Sequence, residues 1–82
     1  MSTTTSIETI NGFVVIAERP TPLGDERLIL AARPDAYSPS GFEYVTARTT
    51  PRETNPTSWY WGHYLRDLPE ALEDLEERSN AR

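Results

Sequence analysis

"SWYWGHYLRDLPEALEDLEER", residues 58–78, changes its hydrophobic period halfway along, and that change decides the fold. Its first part gathers both tryptophans, two of the four tyrosines and the single histidine around Gly62. Aromatic side chains at this density suit a pleated strand. Beyond Arg66 the pattern becomes helical: Leu68, Ala71, Leu72 and Leu75 recur at 3.6-residue spacing and share one face. Asp67 is suited to an N-cap, and Glu70 three residues on completes the outline of a capping box. Pro69 falls in the first turn, where an N–H would have no intrahelical partner. The stretch therefore reads as a strand over 58–65 running directly into a helix over about 68–79.

Working outward, three more strands precede it. "FVVIAER" (13–19), "RLILAAR" (27–33) and "FEYVTART" (42–49) are rich in β-branched and apolar residues. The proline-containing polar loops 20–26, 34–41 and 50–57 separate them. Short connections favour antiparallel pairing of sequence neighbours. The expected fold is α+β: a four-stranded antiparallel meander with one C-terminal helix on one face, ββββα. Residues 1–6 read as a disordered polar tail, and 7–82 as one domain. One helix cannot cover two faces, yet the strands at 13–19 and 27–33 are apolar on both sides. The second face thus needs cover, from loop residues such as Leu23 and Tyr37 or from a second copy in a homodimer.

Composition narrows the function classes. A chain of 82 residues makes one small domain with a modest core. There is no cysteine, which removes disulfides and thiolate metal sites, and one histidine makes a zinc site unusual. No cofactor is expected. A net charge of −5 argues against direct binding to nucleic acid or anionic membrane. All eight basic residues are arginine. Arginine codons are mostly GC-rich, which points to a high-GC bacterial or phage source. The first ten residues lack the basic and apolar regions of a signal peptide, so a cytoplasmic location in a bacterial host cell is the expectation.

Catalysis finds little footing. His63 is the lone imidazole, and no serine sits in a nucleophile-elbow setting. No glycine-rich loop leads into a helix. A non-enzymatic role follows as the expectation. Alternation places Trp59, Trp61 and His63 on one face of the last strand, with Tyr60 and Tyr64 on the other. Such aromatic strands can stack bases, but base-stacking platforms come with basic grooves. The helix carries Glu70, Glu73, Asp74 and Glu77 as a single stripe opposite the leucines. Like charges at i,i+4 are mildly unfavourable, and Asp74–Arg78 offsets some of this. The bland reading is a solvated face. The sharper one is an acidic surface that docks on a basic partner, with Trp59, Trp61 and His63 as anchors.

The run Trp61-Gly62-His63-Tyr64, with Ala71, Asp74, Leu75 and Arg78 in the helix behind it, resembles small proteins encoded by phages, plasmids and integrative elements. "EYVTA" (43–47) resembles the preceding strand of that group, so the likeness covers the C-terminal half. The resemblance implies a mobile-element setting. Small acidic proteins there are often inhibitors of host defence, anti-CRISPR proteins among them, and several mimic the charge of DNA. The expectation is therefore a small acidic inhibitor of a host nucleic-acid-binding defence complex, such as a CRISPR effector subunit. The alternative is a structural or regulatory homo-oligomer.

Overall fold

The computed structural model describes residues 7–21 and 25–80. The expected tail at 1–6 and Leu23 lie outside them. The elements run β1 (Thr9–Ile10), β2 (Phe13–Pro20), β3 (Arg27–Pro34), β4 (Phe42–Thr49), a 3-10 turn (Arg52–Thr54), β5 (Tyr60–Leu65) and α1 (Leu68–Asn80). The sheet has five antiparallel strands in the order β1-β2-β3-β4-β5.

This corrects the expected four-stranded meander in two ways: a strand is added, and the sheet is curled into a half-barrel. The extra strand comes from Asn11-Gly12, which both adopt positive φ (54° and 81°). Two such residues make the primed turn that closes a two-residue hairpin, and Asn-Gly is its preferred sequence. Thr9 and Ile10 fold back to pair with Val14 and Phe13. The pairing also breaks step at two places. Ile16 is an extra residue in β2 between Val15 and Ala17. One extra residue in β5 falls between Tyr60 and His63, opposite Ala47. Bulges bend a strand and increase its twist, and here they accompany the curl.

Both faces of the sheet are apolar because both are covered. On one face Leu28, Leu30 and Tyr44 pack against Ala71 and Leu75 of α1, with Ala17, Ala32 and Leu65 at the margin. The helix begins as its sequence indicates: the Glu70 N–H donates to Asp67 Oδ1 at 3.2 Å. On the far face Ile10, Phe13, Ile29, Ala31, Val45 and Ala47 form a second cluster, joined by Val15 and Trp59. Tyr37 is no part of it, being 95% exposed. Instead the rings of Phe13 and Trp59 meet edge to face with centroids 5.2 Å apart. Phe13 opens β2 and Trp59 immediately precedes β5, strands about three spacings apart, roughly 14 Å in a flat sheet. These two side chains therefore bridge the width of the far face and roof it. Arg33 caps the Phe13 ring at 4.7 Å.

An ion cluster fastens the N-terminal hairpin to the sheet. Arg27, only 7% exposed, sits on the central strand β3. Its Nη1 donates to Glu8 Oε1 and Glu18 Oε2, both at 2.9 Å, and its Nε to the Thr50 carbonyl at 2.9 Å. Its Nη2 bonds the second Glu8 oxygen. A guanidinium this buried is tolerable because its donors are matched. The Arg27 hydrogen bonds hold the Glu8 carboxyl below its ordinary pKa, against the opposing effect of burial. A depressed carboxylate pKa adds stability above the unfolded value near 4.5, which is lost as pH falls through the folded value. Glu8→Gln is expected to lower stability at pH 7 by about 2 kcal/mol. It should also flatten the loss of stability below pH 4.5, as read by chemical denaturation across pH.

Candidate functional site

The bulge in β5 and the facing flank of α1 build one polar centre from four side chains. Thr46, fully buried on β4, is at its middle. Its hydroxyl donates to Asp74 Oδ2. Asp74 also meets His63, whose Nδ1 lies 3.1 and 3.3 Å from the two carboxylate oxygens. Arg78, one turn further along α1, donates from Nη1 to the Thr46 carbonyl at 2.8 Å and to its hydroxyl at 3.1 Å. Its Nη2 donates to the Trp61 carbonyl at 2.8 Å. Burial draws the Arg78 pKa below the ordinary guanidinium value, with Asp74 acting in the opposite sense. The group stays charged at any ordinary pH.

These contacts rotate the helix from its expected seating. Ala71 and Leu75 are buried, but Leu68 and Leu72 are 37% and 41% exposed. Asp74 and Arg78 face the sheet in their place, rather than closing an ion pair along the helix. Asp74 thereby leaves the acidic stripe, while Glu70, Glu73 and Glu77 remain exposed and make no ion pair among the described residues.

The bulge also separates the aromatic residues that simple alternation puts together. Trp59 turns into the far-face core against Phe13. Trp61 points to solvent, 68% exposed, and its backbone is left-handed at φ 56°. His63 faces the helix, opposite Thr46 in the ladder. So of the expected anchors, Trp61 and His63 lie by the helix flank and Trp59 does not. Tyr60, opposite Arg48, falls on the same face as His63. Its ring stands nearly perpendicular to that of Trp61, at 83° with centroids 6.1 Å apart. The Arg48 guanidinium lies over the Trp61 ring at 5.2 Å. Tyr60, Arg48 and Thr46 were not among the expected site residues, because their roles depend on where the bulge falls.

Bulky residues rarely adopt positive φ, and a bulge prefers glycine there. Gly62 is the next residue, yet it is used otherwise. A Cβ on Gly62 would lie 3.2 Å from both Val45 Cγ2 and Trp59 Nε1. Close packing thus claims position 62, and the strained conformation falls on Trp61. Arg78 fixes it there by holding the Trp61 carbonyl.

Shallow grooves of about 320 and 390 Å3 run beside Arg27 and Arg52, and neither is lined by His63 or Asp74. His63 stands beside one carboxylate rather than two. Among the described residues no group of three or more metal-ligating side chains gathers. No described helix is long and apolar enough to cross a membrane. Comparison with family models, curated proteins and solved structures finds no match.

Strain at position 61 has a measurable signature. Elsewhere on an exposed strand, alanine is at least as stabilising as glycine. Here Trp61→Gly is expected to be more stable than Trp61→Ala by about 1 kcal/mol in urea denaturation, because only glycine takes positive φ freely. An alanine variant of equal or greater stability would mean that the left-handed conformation at 61 is absent.

Proposed function

We propose that this chain is a small, non-enzymatic binding module, with Trp61 as its anchor and the acidic flank of α1 beside it. The observation that carries the reading is Trp61 itself. A large apolar ring is held outward on a strained backbone whose carbonyl is bound by the half-buried Arg78, where the edge strand meets the helix. Strain of this kind persists where surrounding contacts impose it, and it concentrates at functional positions. Tryptophan is also the residue most enriched among binding hot spots.

The charge supports a basic partner. Glu70 and Glu77 lie one turn either side of Asp74, on the flank of α1 that faces β5. Their exposed carboxylates would steer a positively charged surface towards Trp61. Within that class, the resemblance to mobile-element proteins favours a host nucleic-acid-binding defence complex as the target, with a CRISPR effector subunit as the specific candidate. Acting there, the chain would occupy the basic surface that otherwise receives nucleic acid. The second reading, a regulatory homo-oligomer, draws support from Ile7, Val14 and Ile16, which stay exposed on the opposite edge.

Affinity capture from host lysate tests the proposal. A basic protein retained by the native chain, lost with Trp61→Ala and weakened at least tenfold by Glu70→Lys with Glu77→Lys, is the expected result. Retention unchanged in folded variants would remove the reading. Capture of the chain's own copies through the Ile7–Val14–Ile16 patch would favour the oligomer instead.

A further inference from the structure

We infer that the corner formed by Tyr60, Trp61 and the α1 flank reads arginine side chains on its protein partner. The inference rests on the binding-module reading and names the group recognised. Tyr60 and Trp61 present two nearly perpendicular rings on the exposed edge strand, at 83°. Both rings are exposed, Tyr60 at 40% and Trp61 at 68%, and a planar cation is attracted to aromatic faces. The protein already shows that this indole accepts such a group: the guanidinium of its own Arg48 sits 5.2 Å from the Trp61 ring centroid. Arg48 is only loosely held elsewhere, with Glu26 at 3.8 Å. Because the Trp61 residue is 68% exposed, much of the indole remains accessible beside that internal guanidinium.

Charge complements the rings. Glu70 and Glu77 flank Asp74 on the side of α1 nearest β5, and neither makes an ion pair among the described residues. Asp74 itself is engaged by Thr46 and His63, so Glu77, next to the Arg78 that reaches the Trp61 carbonyl, is the exposed carboxylate nearest in register to the rings, and Glu70, two turns earlier, adds attraction at longer range. Arginine fits this combination better than lysine. Its guanidinium is planar and weakly hydrated, stacks on rings, and offers a fork of donors to carboxylates. An extended strand is a poorer occupant, because the bulge between Tyr60 and His63 disrupts the regular edge on which another strand would pair. Nucleic acid is disfavoured by the exposed glutamates.

Titration of the 15N-labelled chain tests the inference, because Trp59 and Trp61 give two separate indole signals. The probes are a short arginine-rich peptide, the same peptide with every arginine replaced by lysine, and oligothymidylate. The expected result is a shift of the Trp61 indole with Trp59 unmoved, and binding roughly three- to fivefold tighter for arginine than for lysine. Trp61→Phe should weaken binding and Glu70→Gln with Glu77→Gln should weaken it further. Arg48→Gln should strengthen it, since an internal competitor is removed. Equal binding of the lysine peptide, a Trp61 indole unmoved at millimolar peptide, weaker binding by Arg48→Gln, or preferential binding of oligothymidylate would each overturn the inference. If lysate capture still depends on Trp61 while the peptides are not distinguished, the binding module stands and the arginine assignment falls.

Discussion

The guanidinium of Arg78 joins three elements on the helix side of this protein, α1, β4 and β5. It holds the Thr46 carbonyl on β4 and the Trp61 carbonyl on β5, the two strands between which the ladder slips by one residue. A bulge leaves backbone groups out of regular pairing. Arg78 supplies donors to acceptors on both sides of that slip, and does so from α1. Helix, sheet and bulge are thus fastened by one side chain. Asp74 works alongside it, taking the hydroxyl of the same threonine and the imidazole of His63. The seating of α1 follows from these bonds as much as from its leucines, which is why Leu72 gives up full burial.

Small domains without disulfides must find stability in close packing and matched polar groups. This one has two polar clusters on its sheet. Arg27, on the central strand, gathers Glu8, Glu18 and the Thr50 carbonyl. Arg78 gathers Thr46 and Trp61 at the β5 end. Each cluster lies beside a bulge, at Ile16 in the first case and at Trp61 in the second. Bulged edges resist pairing with other strands. In the proposed binding role, a partner on β5 would then meet side chains rather than backbone, with Trp61 foremost among them.

Much of the fold could be read from the sequence, and what could not has physical causes. Strand and helix positions follow from period and loop composition, and the Asp67 cap from local chemistry. The first strand was missed, because two residues of strand carry no period, although Asn11-Gly12 before Phe13 is a strong hairpin signal. The bulge at Ile16 was not legible, whereas a glycine inside a strand, as at Gly62, signals a bulge or a close backbone approach. Apolar runs such as Val14-Val15-Ile16 look the same whichever residue is extra, and one slip exchanges the faces of all that follow. That slip is what parts Trp59 from Trp61. Gly62 did mark an irregularity, yet the positive φ fell on its neighbour, because packing against Val45 and Trp59 had already claimed the glycine. Asp74 and Arg78 read as a helix-surface pair, because spacing alone cannot tell a residue that faces solvent from one drawn to a buried threonine.

The central claim is that one extra residue in β5 sends the two tryptophans to opposite environments, Trp59 under the sheet and Trp61 into solvent. Acrylamide quenching of fluorescence in the single-tryptophan variants Trp59→Phe and Trp61→Phe tests it most directly. The expected result is ready quenching of Trp61, with a red-shifted emission, and a less readily quenched, blue-shifted Trp59, which is half-buried against the far-face cluster. Equal quenching of the two in folded variants would contradict the bulge and, with it, the placement of Trp61 as an anchor.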